Sequence, residues 1–106
     1  MIYEKKRTKY QERAAIYDEL MRQLRGRAAD TTVFESMVSD YVRYWEYKEL
    51  LKASIKKTGL VYTDWRGDKK PAPELKEIQN ISRLMLAILK EMDLKTGNVT
   101  GDEDAL

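Results

Sequence analysis

The sequence predicts a mainly α fold: three helices, the central one long, with a short β-hairpin or extended loop between the second and third. Three observations carry this expectation. Apolar residues recur at three- and four-residue spacing over three separate stretches. A turn-rich segment, Asp64-Trp65-Arg66-Gly67-Asp68, divides the second stretch from the third. A helix-ending glycine, Gly59, and a helix-opening proline, Pro73, stand on either side of it.

The first helix is expected from about Glu4 to Ala28, within a basic N-terminal segment 1–29. Tyr10, Ala14, Tyr17, Met21 and Leu24 share a face, and Leu20 widens it. Gly26 weakens the end, and Ala28 to Thr31 make a short connection, so the next helix must pack antiparallel or at a steep angle. A helix-turn-helix reading is poorly supported. The second helix is too long, and Glu35 and Asp40 in its first turns repel phosphate.

The second helix, 32–58, organises the chain. Thr32 is the expected N-cap, with Glu35 as its capping-box partner. Lys56 and Lys57 suit the negative end of the helix dipole. Gly59 is expected to take the left-handed conformation, with Leu60 lying against Ile55. At 1.5 Å per residue the rod is roughly 40 Å long. Phe34, Val38, Tyr41 and Trp45 form its main apolar face, and Tyr44, Leu51 and Ile55 a neighbouring stripe. Tyr47 and Leu50 lie on the opposite side. Two apolar faces point to two contacts, one within the chain and one with another copy.

Residues 60–72 combine a β-prone run, Leu60-Val61-Tyr62-Thr63, with the turn and an exit through Lys69-Lys70-Pro71. A lone hairpin is marginal in water. Trp65 near its tip is therefore expected to fold back on the helices; the alternative is an anchor for a partner. The third helix, 73–93, opens with Pro73 at its first position and with Glu74 and Glu77 at the positive dipole end. Its apolar residues, from Leu75 to Met92, cover a sector of roughly 200°, where one core-facing stripe needs little over 100°. The excess implies a second contact, most simply with another copy, the alternative being that the first helix covers some of these positions. The surface for another copy is assigned to Tyr47, Leu50, Trp65, Ile81, Leu84 and Ile88. Residues 1–94 thus read as one helical domain, followed by an acidic flexible tail, 95–106.

Composition narrows the chemistry. The 106 residues suit a single domain, and 36% charged residues point to exposed helical faces. With no Cys and no His, disulfides, thiolate chemistry and every imidazole-based triad are excluded. There is no phosphate-cradling glycine loop and no EF-hand pattern, so neither an enzyme nor a cofactor is expected. The N-terminal stretch lacks the apolar core of a signal peptide, and no run is long enough for a membrane span, so the expected location is the cytoplasm.

Net charge is only +2, yet it is uneven. Residues 1–27 carry eight basic side chains against four acidic ones, and residues 43–70 the same. The segments 28–42 and 71–106 are each net negative. Such alternation suits a polyanion footprint, and it also suits ordinary solvated helices, the commoner case.

The order of parts also resembles a known family. A long helix with an aromatic centre (Tyr41, Tyr44, Trp45) ends in Lys57-Thr58-Gly59-Leu60. A short β segment with a central glycine, Gly67, follows. Lys70-Pro71-Ala72-Pro73 then opens a Leu/Met-rich helix ending in Met92-Asp93-Leu94. Over about Asp30 to Leu94 this is similar to the small terminase subunit of tailed bacteriophages, in particular the P27-like family. Two departures stand out. Ala72 replaces an asparagine common in the family, at a cost of order 1 kcal/mol in capping. The C-terminal stretch also differs, which bears on any role carried there.

The resemblance implies a non-catalytic component of viral genome packaging. It would assemble as a ring in the host bacterial cytoplasm, bind viral double-stranded DNA, and recruit or regulate the large terminase subunit. On that reading the DNA contacts fall on Lys5, Lys6, Arg7, Lys9 and Arg13, backed by Arg22, Arg25 and Arg27. A second patch comprises Lys56, Lys57, Lys69 and Lys70. A ring repeats a weak basic patch many times, which raises avidity. The competing reading is a helical protein-interaction module of a mobile element with no nucleic-acid partner, in which Trp65 and the acidic tail do the binding.

Overall fold

The computed structural model describes residues 7–94. The elements follow one another as α1 (Lys9–Gly26), α2 (Thr32–Thr58), β1 (Val61–Thr63), β2 (Lys69–Pro71) and α3 (Pro73–Glu91). The fold is therefore mainly α, with an antiparallel two-stranded hairpin between the second and third helices. The expected acidic tail, 95–106, lies outside the described residues.

Helix starts are set by threonines. The Thr8 hydroxyl accepts from the Gln11 backbone N–H at 3.1 Å, and the Gln11 side chain accepts from the Thr8 N–H at 2.9 Å. This capping box starts α1 at Lys9, later than the expected start near Glu4. The N-cap of α2 is Thr31, not Thr32; its hydroxyl accepts from the Phe34 N–H at 3.3 Å. The one-residue shift takes Glu35 out of capping range. Its carboxylate instead accepts from the Tyr17 hydroxyl at 3.0 Å, tying α1 to α2. That hydrogen bond, with burial adding to it, raises the Tyr17 pKa above its ordinary value.

The end of α2 also differs from expectation. Gly59 has φ 98° and ψ 167°, a positive φ with an extended ψ in place of the left-handed helical geometry. The chain turns straight into β1, and Leu60 stays 60% exposed rather than returning to Ile55.

Helix ends of α1 and α3 share one device. The Ala29 N–H bonds the Leu24 carbonyl at 2.8 Å and the Ala28 N–H bonds Arg25 at 3.0 Å. Likewise, the Leu94 N–H bonds Leu89 at 2.7 Å and the Asp93 N–H bonds Lys90 at 3.0 Å. Both are Schellman motifs, with Ala28 (φ 55°) and Asp93 (φ 57°) in the left-handed position that favours glycine. Leu94 and Leu89 make the apolar contact of the second motif, and both are buried. The Arg27 guanidinium bridges the two ends, donating to the carbonyls of Met92 and Asp93 and lying 3.5 Å from the Asp93 carboxylate. We expect Ala28→Gly to stabilise the fold by about 1 kcal/mol by relieving the left-handed strain, as read from urea unfolding. A destabilised variant would show that the alanine is unstrained.

Both neighbours run antiparallel to α2. Lys9 and Arg13 of α1 meet Glu49 and Glu46 of α2 at 2.8 and 2.9 Å. Ser54 and Tyr47 of α2 donate to Glu74 and Glu77 of α3 at 2.7 and 3.3 Å. The core sits at one end of this sandwich. It comprises Leu20, Met21 and Leu24 from α1, Val38 and Val42 from α2, and Leu89, Met92 and Leu94 at the end of α3. Phe34, Met37 and Tyr41 pack against it, and burial pushes the Tyr41 pKa up. The first turns of α1 are held differently. Tyr10 is 76% exposed, and ion pairs to α2 replace the apolar contact that the α1 stripe predicts there.

Candidate nucleic-acid and subunit interfaces

Antiparallel packing carries the basic start of α1 toward the end of the molecule where α2 finishes, so the two basic sequence segments approach one another. Their side chains are not equally free. Lys9, Arg13, Arg22 and Arg27 are paired with Glu49, Glu46, Glu19 and Asp93 respectively. Lys70 lies 3.7 Å from Asp64. Arg7, Arg25, Lys56, Lys57 and Lys69 are exposed and make no ion pair among the described residues. Lys5 and Lys6 lie outside the described residues. Lys9 and Arg13 therefore tie α1 to α2, and Arg27 ties the end of α1 to the end of α3, whereas the Arg22 pair lies within α1. Of the basic residues assigned to DNA, those at the α2–hairpin end that make no ion pair among the described residues are Lys56, Lys57 and Lys69.

Glu49 is the centre of the cross-helix pairing. Hydrogen bonds from Lys52, first, and from Lys9 hold its carboxyl below the usual carboxylate range. A depressed folded pKa contributes stability that is present above the unfolded value, near 4.5, and is lost as pH falls through the folded pKa. Unfolding midpoints are expected to drop as pH falls below about 4.5, and Glu49→Gln to flatten part of that drop. An unchanged acid profile in the variant would mean that the pairing adds nothing.

The hairpin projects beyond the core. Val61, Tyr62 and Thr63 pair with Pro71, Lys70 and Lys69, and every strand residue is exposed. The tip is ordered from within. The Asp64 carboxylate accepts from the backbone N–H groups of Arg66 and Asp68, both at 2.9 Å, and Gly67 supplies the positive φ of the turn. Trp65 does not fold back on the helices. It is 88% exposed, with the Arg66 guanidinium 4.9 Å from its ring centroid. The Ala72 N–H bonds the Leu60 carbonyl at 2.8 Å, and Ala72 itself is buried, which anchors the base.

Ala72 is also the N-cap of α3 and supplies no side-chain hydrogen bond. Its backbone geometry suits a capping residue, so Ala72→Ser is expected to add about 0.5–1 kcal/mol, measurable by thermal unfolding. A loss of stability would mean that the buried site rejects the hydroxyl.

Of the apolar residues assigned to a contact between copies, Tyr47, Leu50 and Leu84 are 48%, 69% and 47% exposed. Ile81 is buried inside the chain, and Ile88 packs on the core. Packing within the chain therefore accounts for part of the broad apolar sector of α3. Leu84 and Ile88 line a groove of about 390 Å³ between α2 and α3, with Met37, Tyr44 and Ala87, and with Asp40 and Glu91 at its edge. A second depression on α2 involves Arg43, Tyr44, Glu46, Tyr47 and Leu50. Among the described residues no cluster of three carboxylates is placed to hold a metal ion, and no helix is long and apolar enough to cross a membrane.

No curated protein and no solved structure matches the sequence. The sequence profile described as phage terminase, small subunit, matches residues 14–96. That span takes in most of α1, all of α2, the hairpin and α3. It therefore includes the free lysines at the α2–hairpin end, the Trp65 tip and the α2–α3 groove. The chain belongs to the small-subunit family of phage terminases.

Proposed function

We propose that the chain is the non-catalytic, DNA-binding small subunit of a viral genome-packaging terminase. It assembles as a ring in the host bacterial cytoplasm, engages viral double-stranded DNA, and recruits or regulates the large terminase subunit. The observation that carries this reading is the family match, which runs through every helix of the fold. Two physical features support it. Lys56, Lys57 and Lys69 are exposed and make no ion pair among the described residues, with Arg7 and Arg25 in the same state on the α1 side. Trp65, Leu50 and Leu84 leave apolar surface uncovered in a single copy. At a net charge of +2, one copy neutralises few phosphates, and repetition around a ring multiplies the same small patch.

The reading is tested by light scattering in line with chromatography, together with a gel shift on phage end DNA. A multi-subunit mass and salt-sensitive binding are expected. A single-chain species that ignores DNA would favour the alternative, a protein-interaction module of a mobile element. The solvent-exposed Trp65 suits that alternative as well.

A further inference from the structure

The hairpin tip and the α2–α3 groove are complementary, and one chain cannot bring them together. The tip offers an indole stacked with a guanidinium, Trp65 and Arg66, standing clear of its own helices. The groove offers an apolar floor, including Leu84 and Ile88, and two exposed carboxylates, Asp40 and Glu91, that make no ion pair among the described residues. The alternative depression on α2 is a poorer fit for a cation. Arg43 is on its edge, and Arg13 already engages its Glu46.

Asp40 and Gly59 are separated along α2 by roughly 28 Å at 1.5 Å per residue. The hairpin reaches only about 17 Å from Leu60 to Trp65 at 3.3 Å per residue, so it falls short of its own groove. The geometry points to a head-to-tail contact in which the Trp65–Arg66 tip of one copy seats in the α2–α3 groove of the next. The indole covers Leu84 and Ile88, and the guanidinium sits between Asp40 and Glu91.

This inference rests on the ring reading and names the surfaces that build the ring. Knob and groove are different patches on one chain, so the contact is heterologous. Heterologous contacts propagate and close into rings when the rotation allows. A single aromatic knob buries about 150–250 Å², far below the area of a stable pairwise interface. Isolated pairs are then weak, and closure of the ring supplies the stability through avidity.

Trp65→Ala removes the knob from an exposed site, and Leu84→Glu blocks the groove. The charge reversal Asp40→Lys/Glu91→Lys is a second groove variant, confined to exposed side chains. Circular dichroism checks that each keeps its helix content. Light scattering is expected to find the wild type in multi-subunit form and each variant alone near the single-chain mass of 12.5 kDa. An equimolar mixture of the knob variant and a groove variant retains one intact knob and one intact groove; because an isolated pair is weak, it is expected to show concentration-dependent pairing at high protein concentration that neither variant shows alone. Removal of the anchor weakens association by about thirtyfold.

A mixture that associates no more than either variant alone at high protein concentration, or a Trp65→Ala protein that assembles like the wild type, overturns the knob-in-groove contact while leaving the ring reading standing. A wild type that is itself single-chain at high concentration removes both.

Discussion

Leu24→Ala is expected to destabilise the chain by about 3–4 kcal/mol, the range for emptying a fully buried leucine site. Leu24 is completely buried, and it is one of few such side chains, with Leu20, Met92, Val38 and Val42. It clusters with Val38 and Val42 of α2 and with Leu89, Met92 and Leu94 at the end of α3, so the cavity opens where three helices converge. A chain of this size holds about 5–10 kcal/mol, so the change removes a large share of the total. The thermal midpoint should fall by more than about 10 °C, at roughly 4–8 °C per kcal/mol. Leu50→Ala is the matched control. Leu50 is 69% exposed, and its truncation should stay within about 0.5 kcal/mol. Comparable effects for the two variants would show that the core is not at the α1–α2–α3 junction.

The second large effect concerns nucleic acid. Replacing Lys56, Lys57 and Lys69 together with glutamine should lower affinity for viral end DNA at least about tenfold at moderate salt. The plot of log affinity against log salt should also become shallower, by about 0.9 for each phosphate that is no longer neutralised. These three cations are free of ion pairs among the described residues, so nothing within the fold competes with phosphate for them. Lys9→Gln serves as the contrast. Its ammonium lies 2.8 Å from Glu49, so its removal should lower stability more than it lowers DNA affinity. A salt slope unchanged in the triple variant would exclude the α2–hairpin end as the binding surface.

Both predictions depend on information that the linear sequence holds only in part. Periodicity is enough to place three helices in order, because each apolar stripe recurs at a helical period. The turn chemistry of Asp64 to Asp68 is enough to place a turn, since the aspartate side chain and Gly67 build the tip from local bonds alone, while the choice of a paired hairpin over an extended loop comes from the structure. Proline at the start of α3 and lysines at the end of α2 sit where dipole and φ preferences put them. Departures from expectation cluster at the helix ends. Thr31 and Thr32 are equally good caps by composition, and only the path of the preceding loop separates them. The Schellman ends are hidden, because Ala28 and Asp93 occupy positions where glycine is the usual signal.

The buried set is less legible than the helices. Val42 is almost wholly buried yet does not stand out on the α2 stripe, because a helix packed on two sides has no single apolar face. Tyr10 fits the α1 stripe and is largely exposed, because α1 runs past the core at its start. Ile81 reads as surplus surface and is covered by the chain's own packing, whereas Trp65 reads as too apolar to leave in water and is left there.

By itself the sequence determined the helical class, a short β-prone turn segment between the second and third helices, the absence of thiol and imidazole chemistry, and the family, because these follow from local preferences, composition and motif order. Only the tertiary structure decided which basic side chains are free, which apolar ones are exposed, and that knob and groove lie at separate ends of α2. Pairing and burial depend on which helices meet, and that is a property of packing between residues far apart in the chain.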